Sequence, residues 1–311
     1  MTVRARWLIA FLGCCAVTPL VWGFFIEPRS LKTTTYEIAV PSWPAGCDDL
    51  RVAVLTDLHV GSPFNGLDKL AQIVDQTQRA VPQLILLAGD YMIRDVVGGR
   101  VTPPEAIATE LGRLSAPLGV WAVLGNHDRW FDGARVQRAL ESVGITVLED
   151  ATTSIAAKGC AFSLVGISDY WEGPHDVSKA LQNVPPAAAV LAFTHNPDVF
   201  PDVPARVSLT IAGHTHGGQV CLPFVGRLVV PSRFGQRYAI GHVVEQGRHL
   251  FVSPGLGTSI LPVRFLVPPE ISLVTLRSES ARATISRPAV ASPTDQCAGC
   301  APSSTSFAYL H

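Results

Sequence analysis

The chain has 311 residues, and its 24 Lys and Arg against 25 Asp and Glu give a formal net charge of −1 with all nine histidines neutral. That balance leaves no broad basic surface to neutralise a phosphate backbone, so nucleic acid is excluded as the main substrate. Apolar residues make up 48% and charged residues only 16%, with a mean hydropathy of +0.29; so little charge brings in the membrane, and this length suits one large catalytic domain.

Residues 7–26, WLIAFLGCCAVTPLVWGFFI, carry no charge. About twenty apolar residues at 1.5 Å rise are what a helix needs to cross the hydrocarbon core. Pro19 is tolerated in spanning helices, and Trp7 and Trp22 fall where interfacial aromatics are favoured. Arg4 and Arg6 precede the run, which puts the start in the cytoplasm and the remainder outside. A cleaved signal peptide would need a small-residue exit, which residues 22–26 do not offer, and cleavage before Cys14 would leave a short apolar core. The expected division is a cytoplasmic start at 1–6, a transmembrane signal-anchor helix at 7–26, a lead-in at 27–49, a catalytic domain at 50–276 and a disordered tail at 277–311.

Within the lead-in, Tyr36, Ile38 and Val40 alternate with polar neighbours as an edge strand does. Residues 50–56 then read as a strand, 66–79 as a helix, 84–87 as a strand, 104–114 as a helix, 120–124 as a strand, 134–143 as a helix and 146–148 as a strand. Such alternation predicts a layered α/β arrangement. The second half is strand-rich, with short apolar runs at 162–166, 190–194, 208–212, 228–230, 249–252 and 271–276 and few helices between. A second sheet packed on the first follows, giving an α/β fold built as a β-sandwich flanked by helices. Beyond residue 277 the composition turns to Ser, Ala, Pro and Thr, which cannot build a core. The seven cysteines give no disulfide framework; Cys297 and Cys300 form a C-x-x-C that could be a zinc half-site or a redox motif but lacks a second pair.

Chemistry-bearing residues collect where the predicted strands end. Asp57 and His59 lie two apart, so at a strand end their side chains point the same way. Asp90 follows Gly89, where a missing Cβ lets the backbone turn sharply, and its carboxylate could bridge two ions with one oxygen to each. Asn126 offers an amide oxygen, with His127 and Asp128 next to it. His195 lies in Thr194-His195-Asn196, and His214 and His216 share a face among Gly213, Gly217 and Gly218. Taken singly, each fits an ordinary turn or a satisfied polar group. Their coincidence at successive strand ends, where ligands gather in layered α/β folds, points to a metal centre.

In this order the blocks D-x-H, G-D, G-N-H-D, T-H-N-P-D and G-H-T-H-G-G-Q resemble the calcineurin-like metallophosphoesterases, and the last two resemble the bacterial membrane-anchored YkuE/YaeI-like phosphodiesterase branch. Cys221-Leu222-Pro223-Phe224 and the stretch from Gly255 through Arg264 to Ile271 are similar to that branch too. The resemblance implies a four-layer metallophosphoesterase-type sandwich and two divalent ions, for which Mn, Fe, Zn and Co are equally suited. It implies that Asp57, His59 and His216 bind one ion, that Asn126, His195 and His214 bind the other, and that Asp90 bridges them. His127 stays beside the metals without binding, and Asp95 has no role. A single-pass protein of the bacterial inner membrane, with an extracytoplasmic catalytic domain, is the implied setting.

Two such ions activate a shared water as hydroxide and neutralise the phosphoryl oxygens during in-line displacement. His127, the motif imidazole without a metal to bind, is expected to protonate the leaving oxygen, with Asp128 orienting its ring or supporting its charge. Arg233 or Arg264 could lie near a phosphate, and the loops at 220–225 and 232–234 could line an access groove near the bilayer. The expected activity is a phosphodiesterase acting on an envelope or lipid-linked substrate. The alternatives are a UDP-2,3-diacylglucosamine pyrophosphatase-type hydrolase of lipid A synthesis and a metal-binding scaffold that has lost catalysis.

Overall fold

A computed structural model describes residues 2–157 and 159–279. The chain enters through helix α1 (Val3–Val21) and strand β1 (Lys32–Val40), then alternates through β2 (Leu50–Leu55), α2 (Leu67–Arg79), β3 (Leu84–Ala88), α3 (Pro104–Leu111), β4 (Val120–Val123), α4 (Asn126–Ser142) and β5 (Thr146–Val147). The second half holds β6 (Ala151–Ala157), β7 (Cys160–Ile167), α5 (Val177–Leu181), β8 (Val190–Thr194), β9 (Leu209–Ala212), the small hairpin β10 (Cys221–Leu222) and β11 (Gly226–Arg227), then β12 (Gly241–Glu245), β13 (Arg248–Val252) and β14 (Glu270–Ser278).

Two six-stranded mixed sheets result, in the orders β1-β14-β2-β3-β4-β5 and β12-β13-β9-β8-β7-β6. β2, β3 and β4 run parallel, as do β7, β8 and β9. Side chains alternate across each strand, so one face of the first sheet, with Val52, Val54, Leu84 and Leu86, packs on Leu191, Phe193, Leu209 and Ile211 of the second. The opposite face, with Ala53, Leu55, Ile85 and Leu87, packs under Leu70 and Ile73 of α2, Ile107 of α3 and Leu140 of α4. On the far side of the second sheet the cover is thinner: α5 and a 3-10 turn at Pro197–Asp202 pack Ala180, Val199 and Phe200 on Val190 and Ala192. The α/β sandwich flanked by helices is therefore the observed architecture.

The single spanning helix expected at residues 7–26 is not what forms. α1 stops at Val21, and the chain winds as a π-helical turn at Trp22–Ile26 and a 3-10 turn at Glu27–Arg29. The end of the apolar run is claimed by the domain instead: Arg264 N donates to Gly23 O at 2.9 Å, and the Glu27 carboxylate accepts from Trp22 Nε1 at 2.6 Å, Leu266 N at 2.9 Å and Val267 N at 2.6 Å. Among the described residues no helix is long and apolar enough to cross a membrane.

β6, β12 and α5 carry no clear periodic signal in the sequence, and residues 228–230 are no strand, for Leu228 and Val229 are 58% and 72% exposed. A disulfide joins Cys47, in the turn after β1, to Cys160 at the start of β7; two isolated cysteines 113 residues apart give no spacing pattern from which to read it. Residues 280–311, with Cys297, Cys300 and nearly all of the expected tail, lie outside the described residues.

Candidate metal centre

The parallel strands deliver their C-terminal ends to one edge of the sandwich. Asp57 and His59 follow β2, Asp90 follows β3, Asn126 opens α4 just after β4, His195 follows β8, and His214 and His216 follow β9. None of the seven is more than 4% exposed. Five of them hold left-handed backbones: Asp57 (φ 52°), His59 (41°), Asp90 (57°), His214 (68°) and His216 (52°). Non-glycine residues rarely adopt this region, and strain of this kind gathers at functional sites. Gly89 (φ 89°) lets β3 turn directly under them; a Cβ there would stand 2.6 Å from Gly125 N and 2.8 Å from His195 Nδ1.

The donor atoms form two adjoining groups. In the first, His59 Nε2 and His216 Nε2 are 3.1 Å apart, and His216 Nε2 is 3.4 Å from Asp57 Oδ1. In the second, His195 Nε2 lies 3.1 Å from His214 Nδ1 and 3.2 Å from Asp90 Oδ2. That same Oδ2 is 3.5 Å from His59 Nε2, while Oδ1 accepts from His127 N at 2.9 Å. Asp90 thus faces both groups through one oxygen, rather than one oxygen to each as the sequence suggested, because the start of α4 occupies the other.

This donor set fits a pair of cations. His59 Nδ1 lies 2.9 Å from Met92 O and His195 Nδ1 lies 2.8 Å from Ala88 O; a carbonyl only accepts, so each ring carries its proton there and turns the Nε2 lone pair inward. The Asp57 Oδ2 oxygen accepts from His214 N at 2.9 Å and lies 2.9 Å from Thr56 Oγ1, which aims Oδ1 at the site. Asp57 Oδ1 and Asn126 Oδ1 are buried without a hydrogen-bond partner among the described residues. Converging lone pairs and orphaned oxygens in a sealed interior are costly unless a cation joins them. Asp57-His59-His216, His59-Asp90-His127 and Asp90-His195-His214 each bring their donor atoms within 4.8 Å of one another.

Electrostatics follow from burial and from these neighbours. Burial pushes the Asp57 carboxyl up to about 6, with His195 opposing, and takes His59 down to about 3 against the pull of Asp90. Burial also lowers His214 and His216. His195 goes the other way: burial, the largest single effect, would lower it, but Asp90 beside it together with Asp57 and Asp169 holds it well above its ordinary value.

His127 is 8% exposed, and its ring packs between His59 at 4.7 Å and Trp130 at 4.9 Å. Its Nδ1 is sealed in without a partner among the described residues, which leaves Nε2 as the nitrogen open to the cleft. Asp128 does not orient this ring. Its Oδ2 accepts from Asp90 N (2.8 Å) and Gly125 N (2.9 Å), and its Oδ1 from Tyr91 N (2.9 Å) and Met92 N (3.0 Å). As the third residue of α4 it caps the helix and clamps the loop that carries Asp90.

A cavity of about 590 Å³ opens over the centre, bounded by His127, Asn126, His214 and His216 on its floor and by Arg94, Trp130, Trp171, Val229 and Ile260 on its walls. Trp171 packs edge-on against His214 at 4.3 Å, and Arg94 stands 5.4 Å over the Trp130 ring. Sequence reasoning missed these walls. It also missed Asp169, which is fully buried after β7 and accepts from Trp171 N at 2.9 Å and Glu172 N at 2.8 Å, fixing the turn that presents Trp171. The signal was available, since Gly166-Ile167-Ser168-Asp169 ends an apolar strand as the other blocks do. Neither expected phosphate arginine lines the cavity: Arg264 is fully buried among backbone carbonyls, and Arg233 donates to Asp198 O and packs 4.7 Å over Tyr170. Phe224, at 86% exposed, points to solvent rather than into the cleft.

The sequence model of the calcineurin-like phosphoesterases matches residues 50–218. Over 286 residues the chain is 30% identical to the metallophosphoesterase YkuE of Bacillus subtilis (strain 168), covering 88% of this chain and 98% of that protein. It is 34% identical over 287 residues to phosphodiesterase YaeI of Escherichia coli (strain K12), covering 89% of this chain and 100% of that protein. UDP-2,3-diacylglucosamine pyrophosphatase LpxG of Chlamydia trachomatis is 25% identical over 311 residues, with 82% and 92% covered. Enzymes of this family use two divalent metal ions, and the buried His and Asp groups here can hold them. The chain belongs to the calcineurin-like phosphoesterase family and is a metallophosphoesterase of the YkuE/YaeI-like kind.

Proposed function

We propose that the protein is a phosphodiesterase that hydrolyses an envelope or lipid-linked phosphodiester with two divalent ions, which Asp57, His59 and His216 and, beside them, Asn126, His195 and His214 would hold, with Asp90 serving both groups. The observation that carries this reading is the orphaned pair Asp57 Oδ1 and Asn126 Oδ1, both buried, with Asn126 and Asp90 lining the open cleft. When bound, the ions supply an activated water and neutralise phosphoryl charge. His127 Nε2 faces the cleft and donates the proton that the departing oxygen needs. Asp128, by clamping the backbone of residues 90–92, holds the shared carboxylate and the start of α4 in register. Trp130 and Trp171 exclude water from two sides and leave an apolar wall for the organic part of the substrate.

Two features support an envelope setting. The Cys47–Cys160 disulfide belongs to an oxidising compartment. α1 leaves Trp7, Phe11 and Leu20 at 74%, 65% and 59% exposed, the apolar display of a segment that associates with lipid; on this reading residues 7–26 hold the enzyme at the inner membrane with its catalytic domain outside. A UDP-2,3-diacylglucosamine pyrophosphatase activity is the second reading, favoured by the likeness to LpxG along most of both chains.

Metal analysis of the purified protein, coupled to bis-p-nitrophenyl phosphate, p-nitrophenyl phosphate and UDP-2,3-diacylglucosamine assays, tests both readings. Two ions per chain with faster diester than monoester turnover is the expected result. Release of UMP from the nucleotide lipid selects the second reading, and two bound ions without turnover of any substrate overturns both.

A further inference from the structure

The loop after β13, Ser253 to Gly257, has no metal-binding side chain, yet it lies against the first half of the centre. Leu256 N donates to Thr56 O at 3.1 Å and Gly257 N to Asp57 O at 2.6 Å. Gly255 approaches so closely that a Cβ would meet the Asp57 Cβ at 2.7 Å, and one on Gly257 would meet the His59 Cβ at 2.7 Å. The left-handed backbones of Asp57 and His59 are therefore held from outside by this loop.

Arg264 holds the loop. It is fully buried, and among the described residues its guanidinium donates to no carboxylate: Nε reaches Gly257 O at 2.9 Å, Nη2 reaches Gly257 O at 2.6 Å and Pro254 O at 3.0 Å, and Nη1 reaches Val267 O at 3.0 Å. Buried arginines normally face an acid, since desolvating a charge is expensive. Behind it Glu27, 4% exposed, accepts from Leu266 N and Val267 N, and Arg264 N in turn donates to Gly23 O. The segment leaving α1 thus grips the same stretch of chain that carries the arginine.

We propose that Arg264 is a positioning residue for the Asp57, His59 and His216 half of the metal centre, and that Glu27 locks it in place. The inference rests on the ligand assignment above. The test is titration of metal-stripped full-length protein with Mn²⁺ by calorimetry, for the unaltered chain, Arg264→Lys, Glu27→Gln and, to mark the affected half, Asp57→Asn, with thermal unfolding of each. Arg264→Lys should weaken the one site lost in Asp57→Asn by about 10- to 100-fold, as loss of a ligand-orienting partner does, and leave the other site unchanged. Glu27→Gln should weaken the same site by less. Equal weakening of both sites along with a lowered Tm means a structural role alone and overturns the proposal, as does unchanged binding at both. If Arg264→Lys does not fold, Glu27→Gln, which keeps the guanidinium, decides by the same criteria. An unaltered protein that takes up fewer than two ions overturns the ligand assignment, and this inference with it; two ions there and two unperturbed sites in the variants overturn this inference alone.

Discussion

His127 keeps Nδ1 inside the protein, so any proton it gives to a departing group leaves from Nε2. Replacing it with glutamine should lower kcat by ~10²–10⁴-fold, the usual worth of a general acid, while metal analysis still finds two ions per chain. Glu149 offers a different test at the same scale. Its Oε1 accepts from Leu124 N at 2.8 Å and its Oε2 pairs with Arg129, yet burial outweighs both and pushes it up to about 7. A carboxyl raised in the folded state stabilises the fold while protonated, and that contribution is lost as pH rises from its unfolded value of 4.5 through about 7. Urea unfolding across pH 5–8 should therefore show the stability of the unaltered protein falling relative to Glu149→Gln, by on the order of 2 kcal/mol. That the seven candidate ligands would come together was legible at this scale because each sits at the end of a strand. The task of Asp128 was not, because one residue beside an imidazole reads as its partner until three N–H groups of another loop, and that of Gly125 at the start of its own helix, are seen to claim it. Arg264 was offered, with Arg233, as a residue near a phosphate for the same reason, since sequence does not show that carbonyls surround it.

Strands buried on both faces, such as β3 with its unbroken Leu-Ile-Leu-Leu-Ala, were plain in the sequence, as was the amphipathic α2. α4 was seen only in its second part. Its first turn carries Asn126, His127 and Asp128 in place of core residues, and Asp132 (φ −175°, ψ 85°) kinks the helix, so chemistry displaced periodicity there. Edge elements such as β6 and β12 pair on one side and bury few residues, which removes the pattern that reading depends on. The Cys47–Cys160 bridge ties the first sheet's lead-in to the second sheet across 113 residues of chain. Closing so long a loop restricts the unfolded ensemble, and the double variant Cys47→Ser with Cys160→Ser should lose about 2–5 kcal/mol in denaturant titration.

At the scale of the molecule, the sandwich contributes rigidity and the cations contribute binding energy that only the folded form can gain. With free metal at about 100 times its Kd, each site adds about 2.7 kcal/mol, so chelation should lower Tm by several degrees and added Mn²⁺ should restore it. The five left-handed ligands bear on this balance. Backbones of that kind cost on the order of 1–3 kcal/mol each, and glycine relieves them. Asp57→Gly or His214→Gly should thus lose activity and yet, with chelator present, lose less stability in a melting assay than a buried truncation ordinarily does. A breeding scheme that rewards heat resistance alone would drift toward silent enzymes, because in this protein durability and turnover draw on the same few dihedral angles.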